Sequence, residues 1–182
     1  MKKYNYLRVS IVAVLLIAVF VIVRAFLFEN YVVNGKSMEP TLYDGNLMMV
    51  NTVTSNISNI HRFDVIVFHA TEENDYVKRV VGLPGETVEY KDDQLYVNGE
   101  YIAEDFLEEE KDNAETKPLT EDFTLLEITG EETVPEDQIF VLGDNRGDSL
   151  DSRSIGFVPV DEVVGKVDIT YWPITQLFKQ PR

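Results

Sequence analysis

Two residues in this chain have the types and surroundings for nucleophilic chemistry, Ser37 and Lys78. Ser37 lies in NGKSMEPTL, Asn34 to Leu42, after a small flexible pair and three residues before Pro40. Gly35 tolerates backbone angles closed to other residues, and Pro40 fixes its own φ and restricts Glu39, so Ser37 is expected on a tight, presented turn. Such a turn displays a hydroxyl, although the same residue types also make ordinary solvated loops. Lys78 lies in DYVKRVV, Asp75 to Val81, where a strand's period of two puts Tyr76, Lys78 and Val80 on one face. Lysine in water titrates near about 10.4, and burial against apolar neighbours lowers that value by penalising the charged form. A neutral amine accepts a serine proton, and the chemistry is then acyl transfer through a covalent intermediate. The alternative is a surface Lys78 paired with a carboxylate.

A third stretch, GDNRGDSLDSRSIGF from Gly143 to Phe157, follows the apolar run Gln138 to Leu142. Asp144 with Arg146, and Asp151 with Arg153, have the spacing of charge pairs that stiffen a loop, rather than that of a catalytic acid pair. Ser149 and Ser152 supply hydroxyls, either of which could hydrogen-bond the lysine amine and orient it.

Composition narrows the choices. A formal charge of −16 over 182 residues argues against nucleic acid as a partner. With no cysteine, disulfides, thiolate metal sites and cysteine nucleophiles are excluded. The two histidines, His61 and His69, flank an apolar run without a ligand cluster, so neither a metal or other cofactor nor a Ser-His-Asp triad is expected.

These residues must be carried by something. Lys2, Lys3 and Arg8 precede a run from Val9 to Phe28 in which only Ser10 and Arg24 are polar. Twenty helical residues span about 30 Å, the thickness of a bilayer core. Phe26, Leu27, Phe28 and Glu29 follow where a cleavable leader would carry small residues, so 9–28 reads as a retained transmembrane anchor. The positive-inside rule puts 1–8 in the cytoplasm and 29–182 on the far side of a cell membrane. Ser37 is then tethered within about 30 Å of the bilayer surface.

Beyond Tyr31 the pattern is of short β-branched and aromatic runs between turn signals, which predicts a mainly β body. Candidate strands are Leu47 to Val50, Phe63 to Phe68, Tyr76 to Val81, Thr87 to Tyr90, Gln94 to Val97, Gln138 to Leu142 and Val163 to Tyr171, with Asn98-Gly99 as a two-residue hairpin turn. Residues 100–137 carry many carboxylates against Lys111 and Lys117 alone, and read as a solvated acidic insertion between two halves of one body.

Taken in order, the anchor, GKSMEPTL, RFDVIVF (Arg62 to Phe68), YVKRVVGLPGE (Tyr76 to Glu86) and GDNRGDSLDSRSIGFV (Gly143 to Val158) resemble the bacterial type I signal peptidases. These are membrane-anchored Ser-Lys endopeptidases that remove signal peptides from exported preproteins. The single anchor resembles the Gram-positive form. The resemblance implies Ser37 as nucleophile, Lys78 as general base, and Ser149 as the hydroxyl that orients the lysine. It implies Arg79, Asp144, Asp151 and Arg153 as structural charges around the site. Some members have a serine two residues before the nucleophile that helps bind the oxyanion; here that position is Gly35, which would leave backbone N–H groups of Ser37 and Gly35 to do so. The implied substrates end in an A-x-A-like pattern and bind as an added strand. Two rivals remain: a self-cleaving Ser-Lys regulator, for whose DNA-binding region there is no room before Ser37, and a membrane-tethered protein that binds preproteins without cutting them.

Overall fold

A computed structural model describes residues 9–19, 28–52, 60–113 and 118–172. Its first element is a helix, α1, over 9–19, whose large apolar side chains are all exposed. The anchor expected over 9–28 is thus described only in part, since 20–27 lie outside the described residues. Among the described residues no helix is long and apolar enough to cross a membrane.

The body is β, as its sequence pattern predicts. Seven strands form one antiparallel sheet in the order β1 (Phe28–Val32), β2 (Leu47–Asn51), β11 (Val163–Trp172), β3 (Val65–His69), β4 (Asp75–Gly82), β9 (Gln138–Leu142) and β10 (Val158–Pro159). The continuous apolar runs in β3, β4 and β9 are those of strands covered on both faces. Val65 and Val67 of β3 enter a core with Val33, Met38, Leu42, Met48 and Val50, whereas Ile66 and Phe68 enter another with Val80, Ile139 and Val141. Val81, Phe140 and Leu142 point the opposite way, into a third core shared with a smaller sheet.

That smaller sheet has the order β7 (Glu100–Ile102), β6 (Gln94–Val97), β5 (Val88–Lys91) and β8 (Phe123–Thr124). Asn98 and Gly99 join β6 to β7 with φ of 52° and 79°, the left-handed pair that the dipeptide predicts. The acidic stretch contributes β7, β8, the short helix α2 (Glu108–Asn113) and α3 (Leu125–Thr129), which Thr124 and Glu127 cap reciprocally. Most of its carboxylates are exposed, but Glu104 is buried. Phe63, expected to open a strand, instead has φ +71° and ends the turn before β3.

This topology brings three distant segments to one place. Ser37 lies between β1 and β2, Lys78 is on β4, and the chain leaving β9 at Leu142 emerges beside Arg79, its register partner.

Candidate active site

The turn that carries Ser37 is closed by its own backbone. Glu39 N–H donates to the Lys36 carbonyl at 3.0 Å and Leu42 N–H to that of Met38 at 2.8 Å; the Glu39-Pro40 peptide is cis. Met38 and Leu42 are 1% and 0% exposed and fix the turn in the core, leaving Ser37 at the rim. Gly35 has φ +93° and open space where a Cβ would stand, so backbone conformation, not room, requires glycine.

Lys78 faces Ser37 from β4, with Nζ donating to Oγ at 2.7 Å. With the amine neutral the same contact runs in reverse, the serine O–H donating. Lys78 is 4% exposed, its Nζ is 5.4 Å from the Tyr76 ring centroid, and among the described residues it forms no ion pair. Burial pulls its pKa down to about 8, against the weaker upward pull of Asp151 and Asp144. The surface-paired alternative for Lys78 is therefore not what the fold adopts.

The stretch after β9 clamps this pair. Asn145 N–H donates to the Ser37 carbonyl at 3.0 Å, and Asn145 Nδ2 to the Lys36 carbonyl at 3.2 Å. A Cβ on Gly143 would stand 2.5 Å from the Ser37 carbonyl oxygen and 2.1 Å from Ser149 Oγ, so this glycine allows the two segments to meet. Asp144 does not pair with Arg146 across its own loop, as its spacing suggested. It accepts instead from Arg79, Nε to Oδ1 at 2.8 Å and Nη2 to Oδ2 at 2.7 Å, with both side chains fully buried. Arg79 also donates to the Phe63 carbonyl at 2.8 Å and to Thr41 Oγ1 at 3.2 Å, so one guanidinium joins β4, the serine turn and the loop. A sequence spacing of two could not compete with a bidentate pair across the sheet.

Arg146 turns toward the smaller sheet. It donates to Glu104 Oε1, to Tyr90 Oη at 2.7 Å, to Thr120 Oγ1 at 2.9 Å and to the Gly143 carbonyl at 3.1 Å. Asp151 and Arg153 do pair, through Nε at 2.9 Å and Nη2 at 2.8 Å, and Asp151 also accepts from Gly143 N–H at 3.0 Å. Burial works to raise the Asp151 pKa, but Arg153, the Gly143 N–H and nearby Ser149 together hold it below its ordinary value.

The two serines of this loop differ in kind. Ser152 Oγ accepts from Val141 N–H at 2.9 Å and is engaged in holding α4 (Ser152–Ile155) against β9. Ser149 Oγ is buried and, among the described residues, makes no hydrogen bond of full geometry, to Lys78 or to any other group, although it lies near enough to Asp151 to lower that carboxyl's pKa. Gly35 N–H donates to Asp44 Oδ1 at 2.8 Å, so it is not free for an oxyanion here. Ser37 N–H meets no acceptor among the described residues.

A groove of about 270 Å³ opens over Ser37 and Lys78, lined by Tyr31, Val32, Met48, Val67, Tyr76 and Leu150 among others. Met38 also lines it, whereas Leu42 lies wholly in the core. Beside it runs β1, the last strand of the sheet, whose outer edge pairs with no strand among the described residues. His69 Nδ1 lies 2.6 Å from Asp75 Oδ1 and His61 Nδ1 3.7 Å from Asp64 Oδ2, which leaves both histidines paired at the surface. Among the described residues no three histidine or carboxylate side chains are placed to hold a metal ion. Asn145, Glu104, Tyr90 and Thr120 escaped the sequence reading. Only Asn145 had a signal, its place within GDNR.

Comparisons with known proteins give the family. The family model described as signal peptidase, peptidase S26, matches residues 5–172. A signal peptidase I of Bacillus caldolyticus is 56% identical over 153 residues, 84% of each chain. Signal peptidase I V of Bacillus subtilis is 42% identical over 167 residues, 92% of this chain and 98% of its own. Among solved structures, a signal peptidase I from Enterococcus faecalis matches with a TM-score of 0.55 and 49% identity, covering 59% of this chain and 95% of that one.

Proposed function

Since the chain belongs to the signal peptidase, peptidase S26, family, we propose that it is a membrane-tethered Ser-Lys endopeptidase that cuts signal peptides from exported preproteins after an A-x-A-like sequence. Membership makes it a serine peptidase, a hydrolase; the dyad, the specificity and the anchor are our reading. The observation that carries it is the 2.7 Å contact of Ser37 Oγ with a buried Lys78 that has no carboxylate on it.

In this reading Lys78, neutral in a substantial fraction near pH 8, takes the proton of Ser37 as Oγ attacks the scissile carbonyl. The tetrahedral oxyanion is received by Ser37 N–H, and Gly35 N–H joins it only by leaving Asp44. Collapse expels the mature chain's amine, which takes a proton from the lysine and leaves the signal peptide as an ester on Ser37. Lys78, now neutral, deprotonates a water that attacks the ester, and the proton passes to Ser37 Oγ as the ester bond breaks and the signal peptide leaves as a carboxylate. Ser149 Oγ, buried and making no hydrogen bond of full geometry, supplies the hydroxyl that holds the lysine when the serine becomes acylated. Arg79, Asp144, Asp151 and Arg153 act by holding the loop against the serine turn.

The peptide lies in the groove as a strand beside β1, its small residues facing apolar walls such as Met48 and Val67. The 9–28 segment is the anchor, with its exposed apolar helix over 9–19 in lipid, the amino terminus in the cytoplasm and the catalytic body outside. The test is cleavage of a purified preprotein with an A-x-A site, in lipid, by the intact chain, Ser37→Ala and Lys78→Ala. Cutting by the intact chain alone is expected. If all three bind without cutting, the tethered-binder reading replaces this one.

A further inference from the structure

The only buried carboxylate of the acidic 100–137 stretch among the described residues is Glu104, and it does not stop at the smaller sheet. Its side chain is 1% exposed and accepts from Arg146 and from Tyr90 Oη, the latter at 2.6 Å, through Oε1, and from Lys111 Nζ at 3.2 Å through Oε2. Arg146, itself wholly buried, uses its other donors on Tyr90, Thr120 and the Gly143 carbonyl. Gly143 is the residue packed against both the Ser37 carbonyl and Ser149 Oγ, and Asn145, between Asp144 and Arg146, holds the Ser37 carbonyl. Three contacts therefore run in series from the acidic stretch to the serine, Glu104 to Arg146, Arg146 to the Gly143 carbonyl and Gly143 to the Ser37 carbonyl, with the Asn145 bond beside the last.

We infer that Glu104 is a positioning residue for the nucleophile: through Arg146 it sets where Gly143 to Ser149 meet the Ser37 turn. This rests on the Ser-Lys reading above. Glu104 touches neither substrate nor reacting atoms, and its effect is exerted through the guanidinium. A planar five-donor fork fixes both the direction and the distance of the loop, which a point charge at this place would not. The apolar packing of Tyr90, with Phe123 at a ring-centroid distance of 5.1 Å, keeps the fork dry and hence rigid.

The experiment measures preprotein cleavage by the full chain in lipid, with active sites counted from the burst of the first turnover, so that misfolded molecules do not enter kcat. Glu104→Gln is expected to lower kcat per active site by about 10- to 100-fold, the size of a misplacement of about 1 Å, with KM changed by less than about threefold. Glu104→Gln with Arg146→Met removes both charges, avoids a lone buried ion, and is expected to fold yet show the same loss. Tyr90→Phe keeps the ring and removes the hydroxyl that both partners use, and is expected to show a smaller fall in the same direction. Full per-site turnover in Glu104→Gln, or in the folded double variant, overturns the inference. Ser37→Ala in the same assay separates the two claims. Cleavage by it sinks the dyad, whereas inactive Ser37→Ala beside full per-site turnover in Glu104→Gln sinks only the positioning role.

Discussion

Arg79 holds Asp144 in a two-point grip, at 2.7 and 2.8 Å, one residue along the strand from the lysine that faces Ser37. Alternation on β4 sends Lys78 toward the groove and Arg79 inward, so the lysine we propose as proton acceptor and the clamp share one strand. Breaking a fully buried pair leaves a charge uncompensated. Asp144→Ala should therefore cost about 3 to 5 kcal/mol in urea unfolding. Arg79→Met with Asp144→Leu should restore most of that stability and still leave preprotein uncut, because the loop loses its register against Thr41 and Ser37. Cleavage by that double variant would show the pair to be a matter of stability alone.

The rate of cleavage should rise with pH. On the proposed mechanism Lys78 accepts the proton only when neutral, and its burial brings its pKa to about 8. Below that value kcat/KM should fall by about tenfold per pH unit, and above it should level off. A profile flat between about pH 6 and 9, measured on a preprotein whose own charge is constant there, would sink the lysine as base.

The same burial predicts a stability change with the opposite beneficiary. Folding depresses the Lys78 pKa from 10.5 to about 8, so between those values the unfolded chain binds more protons and stability rises with pH. At about 1.4 kcal/mol per pH unit, the folded protein at neutral pH bears a penalty on the order of 3 kcal/mol that is relieved by about pH 10.5. Lys78→Met should be inactive and more stable than the parent at neutral pH, the gap closing through that window. Parallel unfolding curves at about pH 7 and 10 would contradict the assigned burial.

Ser149→Ala separates orientation from structure. The hydroxyl it removes makes no hydrogen bond of full geometry and only lies near Asp151, so its loss should change stability by no more than about 0.5 kcal/mol. Turnover should nevertheless drop by about 10- to 100-fold, since the amine loses the group that holds it during acyl transfer. Turnover within twofold of the parent would remove Ser149 from the mechanism.

Two glycines should respond to alanine for different reasons. At Gly35 there is open space and a φ of +93°, so Gly35→Ala should cost about 1 to 2 kcal/mol through backbone strain alone. At Gly143 the added methyl would lie 2.5 Å from the Ser37 carbonyl oxygen and 2.1 Å from Ser149 Oγ, and cleavage should vanish even where the fold survives. Comparable turnover in the two variants would argue against the loop as the serine's clamp.

What could be read in the sequence was whatever depends on near neighbours. The Asn98-Gly99 turn and the doubly covered run Val65–Phe68 follow from local conformational preference and periodicity. Period two likewise put Lys78 on a face with Tyr76, and the structure has that amine against that ring. What escaped depends on partners far along the chain. A spacing of two pairs Asp144 with Arg146 on sequence, yet the fold joins it to Arg79 and joins Arg146 to Glu104. Glu104 itself was hidden by its company: among so many solvated carboxylates, nothing local marks the one that an arginine from the other half of the chain will bury. Only the family resemblance joins Ser37 to Lys78, since no spacing rule connects a turn with the third strand after it.

The bond from Asn145 N–H to the Ser37 carbonyl also orders events in time. A ribosome that has made β1 to β8 has already supplied the serine and the lysine, but not the segment that presses one toward the other. A chain made only as far as β8 thus lacks the clamp on its serine, and the site is completed only when the last third of the polypeptide arrives.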